Sequence, residues 1–221
     1  MVKSANNSKA VPLKEPMAFF GGTFDPVHIG HLRIAVQLRE SGFANVQMIP
    51  NRVPPHRTQP QASATDRHKM LTDACSSLDG IEVNDLELHG AGFSYTAQTV
   101  ATLRRQYPEQ SLTWVMGADA WAGFDRWFEP ETVLNNVNIL VVSRPNEPLT
   151  LSGEQGQWYQ QRQVILPELL KKQHGAICHH PLPELDISAS NLRQAIKQGD
   201  NIVYLTPDSV REYIIQQQLY R

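Results

Sequence analysis

Cysteine is scarce: the 221 residues hold two, Cys75 and Cys178, too few for a disulfide framework and at no spacing that a zinc site uses. That excludes a stapled secreted scaffold and fits a reducing cytoplasm. Charge of one sign is lacking too. Twenty Lys and Arg against 22 Asp and Glu leave a net charge of −2, so no general field draws the chain to nucleic acid or to an acidic membrane. Any anionic ligand must be held by a local site. No run approaches the roughly 18 apolar residues of a membrane span, and MVKSANNSKAVPLKEP at the start has no apolar core of a signal peptide. Internal repeats and low-complexity tracts are absent. The remainder, 41% hydrophobic and 19% charged, is ordinary for a soluble globular chain and suffices for one full core. Residues 1–16 are expected to form a flexible tail before a single domain over 17–221.

Strand and helix patterns alternate. Met17–Phe20 is a short apolar run stopped by Gly21-Gly22. From Ile29, the residues Leu32, Ala35, Val36 and Leu38 share a helical face, with Gly42 where a C-terminal cap belongs. Val46–Ile49 reads as a strand ended by Pro50, and Met70, Leu71, Ala74, Cys75 and Leu78 as a helix capped by Ser63 or Thr65. Ile81–Val83 is a strand, and Ser94-Tyr95-Thr96 opens a helix through Val100 and Leu103. Leu112–Met116 and Ile139–Val142 are central strand candidates. Pro145 to about His180 reads as polar and loop-rich, with Val164–Leu170 partly helical, before closing helices near Ser188–Gln198 and Asp208–Gln217. The alternation predicts an α/β fold, a parallel sheet with helices on both faces. Such sheets bind ligands at the carboxyl ends of strands, where the strand order reverses.

That is where FFGGTFDPVHIGH, Phe19–His31, falls. Glycines at a strand-to-helix turn let backbone approach a ligand, and the helix N-terminus behind them favours an anion. No Gly-Lys-Ser/Thr follows, so this is not a Walker loop, and Thr23-Phe24 break the dinucleotide glycine pattern. His28 and His31, three apart, share one helical face, where both imidazoles can donate to one polyphosphate. Gly30 between them is expected to leave room for the ligand. Read alone, the pair is also compatible with half of a metal site, though no third ligand is evident nearby, or with a surface histidine at a helix start.

The string GGTFDPVHIGH resembles the phosphate-binding signature of the nucleotidyltransferase superfamily, its HxGH motif. Ile187-Ser188-Ala189-Ser190-Asn191-Leu192-Arg193 resembles the superfamily's second signature, ISxTxxR, with Ser190 keeping the hydroxyl. Unaided, Ser188 or Ser190 caps a helix and Arg193, one turn on, reaches a phosphate. Three further segments are similar to those of the bacterial nicotinate-nucleotide adenylyltransferases. They are Asn51-Arg52-Val53-Pro54-Pro55-His56-Arg57, Ser94-Tyr95-Thr96, and Gly117-Ala118-Asp119 with Phe124 and Trp127 downstream. The ending Pro207…Tyr213-Ile214…Leu219-Tyr220 also follows that family, except that Gln218 stands where glycine is usual.

The resemblance implies a Rossmann-like fold and adenylyl transfer from ATP to nicotinate mononucleotide, with release of pyrophosphate. It implies catalytic roles for His28, His31 and Arg193, and ATP or phosphate contacts from Gly21, Gly22, Thr23, Phe24, Ser188, Ser190 and Arg144. Tyr95, Thr96, Asp119, Trp127, Asn51 and His56 fall to the mononucleotide. Trp127 and Tyr95 offer aromatic faces to a pyridinium, the Tyr95-Thr96 backbone offers donors to its carboxylate, and Asp119 accepts from ribose. Core packing is the other use for Trp127 and Phe124, and a loop cap the other use for His56. Mg²⁺ is expected to arrive with ATP, held by phosphates and water, with no protein ligand. ATP and nicotinate mononucleotide are the expected partners, with neither nucleic acid nor membrane, and the oligomeric state is left open. Two competing readings are phosphopantetheine adenylyltransferase, which shares the opening motif, and a nucleotide-binding protein that has lost catalysis.

Overall fold

The computed structural model describes residues 14–53, 59–89, 92–143, 149–183 and 185–221. Six strands, β1 (Lys14–Gly22), β2 (Asn45–Pro50), β3 (Ile81–Val83), β4 (Gln110–Gly117), β5 (Asn138–Ser143) and β6 (Ile177–Pro181), make one sheet. Every pairing is parallel, in the order β3-β2-β1-β4-β5-β6. Parallel neighbours need crossovers. These are supplied by α1 (Ile29–Glu40), α2 (Ala64–Cys75), α3 (Thr96–Gln106), α4 (Ala118–Trp121), α5 (Pro130–Asn136), α6 (Gly153–Arg162) and α7 (Leu166–Leu169). A 3-10 turn, Phe124–Arg126, lies between α4 and α5, and α8 (Ala189–Gln198) and α9 (Asp208–Gln216) follow the sheet.

Alternate residues of the central strands point to opposite faces, and here both faces are apolar. Val115, Leu140 and Val142 meet Leu38, Met70 and Leu71 on one side. Trp114, Ile139 and Val141 meet Val100, Trp121 and Phe124 on the other. Each such residue, fully buried, contributes about 1.5–3 kcal/mol, and together they hold the sheet between its two helical layers. Strand order reverses between β1 and β4, so the carboxyl ends of those two strands flank the switch point.

Helix ends follow their chemistry. Ser63, rather than Thr65, caps α2, its Oγ accepting from Asp66 N at 3.1 Å. Three helices close with the same paired hydrogen bonds onto their last carbonyls and a left-handed residue just beyond. After α1 that residue is Gly42 (φ 105°) and after α8 it is Gly199 (φ 79°). After α9 it is Gln218 (φ 54°), with Leu219 N donating to Ile214 O and Gln218 N to Ile215 O. The position that glycine suits thus keeps its geometry here with a side chain in place.

Several expectations are corrected. The first strand begins at Lys14, three residues before Met17. The second helix ends at Cys75 and does not reach Leu78. The stretch expected to be loop-rich carries α6 and the edge strand β6 within its described part, besides α7, which falls inside the partly helical Val164–Leu170. In β6, ICHHP, only Ile177 and Cys178 are buried, so the strand lacks the apolar run that would announce it. The two aromatic residues of α6, Trp158 and Tyr159, pack onto the Trp121 and Phe124 cluster, which turns a polar-looking segment into a cover for the sheet. Among the described residues no helix is long and apolar enough to cross a membrane.

Candidate active site

A cleft of about 1160 Å³ opens over the switch point, reaching from the start of α1 to Tyr95 and Trp127. Its floor is the opening string. β1 ends in Gly21-Gly22, and the chain turns through Thr23–Val27 into α1, with His28 as N-cap in extended conformation. Both glycines line the cleft, but the space a side chain would need is already filled. A Cβ on Gly21 would collide with the Trp114 ring, and one on Gly22 would stand 2.7 Å from Phe24 Cζ. Their stereochemical use is therefore to admit two aromatic rings. Gly30 lines the cleft and also makes room for the His28 ring, whose Nδ1 a Cβ would approach to 3.0 Å. Phe24 is held at φ 49° and is 2% exposed, a strained backbone at the centre of the turn.

Three charged side chains and a phenol lock this turn. The Asp25 carboxylate is 4% exposed and accepts from Gln61 N (2.8 Å), Ala62 N (3.1 Å) and the Tyr220 hydroxyl (2.7 Å). Arg67, 1% exposed, donates to the carbonyls of Thr23 (2.7 Å) and Arg52 (3.0 Å). Arg193 donates Nη1 to the Asp25 main-chain oxygen at 2.6 Å and Nη2 to Ser190 Oγ at 3.3 Å. Its Nε is buried without a partner. Burial and the neighbouring Asp25 charge push the Tyr220 phenol far above its ordinary range, so it stays a donor. None of the loop-locking roles of Asp25, Arg67 and Tyr220 was apparent from sequence.

His28 is 5% exposed, and burial lowers its imidazole to about 4, so it is neutral at pH 7. The main-chain N–H of His28 donates to His31 Nδ1 at 3.3 Å. A nitrogen that accepts carries no proton, so the His31 proton sits on Nε2. The two rings stack with centroids 3.7 Å apart, and Phe24 meets His31 edge-on at 5.0 Å. This pair is suited to donating hydrogen bonds rather than to removing protons. Among the described residues no group of three His, Cys, Asp or Glu side chains could hold a metal ion. Ser188 caps α8, its Oγ accepting from Asn191 N at 3.1 Å.

The opposite half of the cleft is built differently. Asn51 Nδ2 donates to Thr23 Oγ1 at 3.2 Å, tying the loop after β2 to the turn. Tyr95 is the N-cap of α3, leaving the first-turn N–H groups at Thr96 and Ala97. Glu87 Oε1 accepts from Thr99 Oγ1 at 2.7 Å. Burial raises the Glu87 carboxyl, and bonds from Thr99 and Ser94 oppose that. Ser94 Oγ in turn accepts from Arg52 N at 3.0 Å, so Glu87 gathers three segments. Tyr95 meets Phe128 at 4.7 Å and Phe93 at 6.2 Å. Phe93 and Phe128 are 54% and 44% exposed and went unnoticed in the sequence, although Phe128 directly follows Trp127.

Of the residues singled out from sequence, the cleft brings together Gly21, Gly22, Thr23, Phe24, His28, His31, Asn51, Tyr95, Thr96, Asp119, Trp127, Ser188, Ser190 and Arg193. Phe124 is wholly buried and belongs to the core, with Trp127 edge-on against it at 5.4 Å. His56 and Arg144 lie outside the described residues.

A parallel sheet in this order, with a histidine pair and a basic helix start facing each other at its switch point, has the marks of the cytidylyltransferase-like family, whose model matches residues 19–195. Relatives are more specific. The probable nicotinate-nucleotide adenylyltransferase of Escherichia coli O17:K52:H18 is 39% identical over 95% of this chain and 100% of its own length. That of Hydrogenovibrio crunogenus is 39% identical over 91% and 95%, and the nicotinate-nucleotide adenylyltransferase of Salmonella typhimurium is 38% identical over 95% and 100%. The chain belongs to the nicotinate-nucleotide adenylyltransferase family. In fold it is similar to Plasmodium falciparum nicotinic acid mononucleotide adenylyltransferase complexed with NaAD. There the TM-score is 0.72 at 18% identity, over 94% of this chain and 98% of that one.

Proposed function

We propose that the chain is the enzyme that transfers the adenylyl group of ATP to nicotinate mononucleotide, yielding nicotinate adenine dinucleotide and pyrophosphate, a step of NAD biosynthesis. The observation that carries this is the convergence of His28, His31 and Arg193 at one end of the cleft, with an aromatic pocket around Tyr95 at the other. A non-bridging oxygen of the mononucleotide's 5′-phosphate forms the new bond to the α-phosphorus of ATP. The bond to the β-phosphate oxygen breaks, and pyrophosphate leaves with the electron pair. A phosphate second pKa is about 6, so the nucleophile is already ionised and no base is required. Catalysis then rests on alignment and on stabilising the charge that develops.

In this reading His28 and His31 donate to the triphosphate, and Arg193 with Ser188 and Ser190 holds the leaving phosphates. The turn Gly21–Phe24 carries the nucleotide, with Arg144 beside ATP. Tyr95 and Thr96 hold the nicotinate, Trp127 its ring, Asp119 the ribose, and Asn51 and His56 the acceptor side. Mg²⁺ would be bound through the ATP phosphates and water, with no protein ligand, and would neutralise phosphate charge. The carboxylate nearest the turn, Asp25, already has both oxygens engaged, which fits a cation carried by phosphates and water. Two free cysteines, Cys75 and Cys178, both buried, fit a cytoplasmic location. The test is pyrophosphate release from the purified protein with ATP, Mg²⁺ and nicotinate mononucleotide, with nicotinamide mononucleotide in parallel. Release with the nicotinate substrate is expected, at the higher kcat/KM. No release with either substrate overturns the reading, and equal efficiency with both removes the carboxylate role of Tyr95 and Thr96.

A further inference from the structure

The phenol of Tyr220 stands 195 positions along the chain from the carboxylate it meets, and the chain accepts an uncommon backbone to put it there. Gln218 (φ 54°) and Tyr220 (φ 63°) are both left-handed non-glycine residues, a conformation that persists only where the surroundings enforce it. Tyr220 is 8% exposed and Asp25 4%, so their bond of 2.7 Å is made away from water. The same carboxylate stands 3.9 Å from Arg193 Nη1, which donates to the Asp25 main-chain oxygen. Asp25 is thus gripped on the carboxylate side by Tyr220 and the Gln61 and Ala62 amides, while its backbone and charge hold the guanidinium that faces the cleft. Arg67 fixes the residues around it through the Thr23 carbonyl.

We propose that Tyr220 is a positioning residue for the phosphate clamp: its hydroxyl fixes Asp25, and Asp25 sets where Arg193 stands relative to His28 and His31. Tyr220 touches neither substrate. Without the hydroxyl, Asp25 Oδ1 keeps only the Ala62 N–H, and the carboxylate can turn further toward the guanidinium, drawing Arg193 out of line with the leaving phosphates. Misplacing a clamp by a fraction of an ångström lowers the rate without unfolding the protein.

This rests on the adenylyl-transfer reading, and the experiment separates the two. Parent, Tyr220→Phe, Arg193→Ala and the double variant are compared in the full chain by pyrophosphate release, with thermal unfolding of each. If the parent forms no product, the activity reading fails, and the proposal with it. Given an active parent, Tyr220→Phe is expected to lower kcat/KM for ATP about tenfold, with KM for nicotinate mononucleotide unchanged. In the Arg193→Ala background the same change is expected to have no further effect, because the two act as one unit. Tyr220→Phe with a lower Tm but parental kinetics, or with a loss that multiplies that of Arg193→Ala, overturns the proposal. Should Tyr220→Phe fold poorly, assay well below its Tm keeps the same comparison, since the kinetic coupling and not the stability is the readout.

Discussion

The two halves of the cleft each gather around a carboxyl group, one buried and one partly buried, and they surround it with different donors. Asp25 receives two main-chain N–H groups and a phenol with two arginines close by. Glu87 receives hydroxyls from Thr99 and Ser94, and burial pushes it toward its neutral form. The walls differ in the same sense. Phe24 and His28 are 2% and 5% exposed, whereas Phe128 is 44% exposed. Phosphates are held best by donors that are already aimed, because nothing then reorganises as charge develops. A flat pyridine ring gains instead from apolar faces that are wet beforehand and dry afterwards, at about 25 cal/mol per Å². One half is rigid before the ligand arrives, and the other keeps its gain for the moment of binding.

The largest test of that contrast is at the clamp. Arg193→Ala or His31→Ala is expected to lower kcat/KM by about 10²–10³ with the fold intact, read by pyrophosphate release and circular dichroism. A loss below threefold in either would remove that side chain from the rigid half. Next comes acid stability. His28 has a folded pKa of about 4 against the ordinary 6.5, so between those values the unfolded chain binds more protons and acidification favours unfolding. Roughly 3 kcal/mol, present above pH 6.5, is therefore lost progressively down to pH 4. His28→Gln should flatten the fall of stability over that window, as followed by denaturant unfolding. An unchanged slope would mean that the half is wetter than described. In the open half, Phe128→Ala is expected to raise KM for nicotinate mononucleotide about tenfold, the scale of one lost ring stack, while KM for ATP holds. A rise in the ATP value instead would erase the division. The smallest effect lies outside the cleft. Gln218→Gly relieves a left-handed side chain at a cost in chain entropy, for a net gain of about 0.5 kcal/mol and a Tm rise of about 1–2 °C by calorimetry. It should leave both halves' kinetics untouched.

How far the sequence could be read follows from the distance between partners. His28 and His31 are one helical turn apart, and Ser188, Ser190 and Arg193 lie in one segment, so each half of the clamp announces itself locally. The strands with long apolar runs were equally plain. The members of the Asp25 network were not, since Arg193 and Tyr220 reach it across 168 and 195 positions and no periodicity records such a meeting. Glycine at 21 and 22 has a second use that the sequence did not announce, because the rings of Trp114 and Phe24 that need the space come from another strand and from a strained turn. β6 escaped because an edge strand with two half-buried histidines does not alternate as a two-sided one does.

The reach of Asp25 also sets an order in time. Closing a long stretch of chain costs entropy that must be met before its contacts repay it. The helices and the strand pairs depend on nearer contacts, the farthest being β1 with β4, while the carboxylate waits for residues from positions 193 and 220. During refolding the sheet therefore precedes the clamp, and recovery of pyrophosphate release should lag recovery of helical circular dichroism. The protein takes its shape first and becomes an enzyme last.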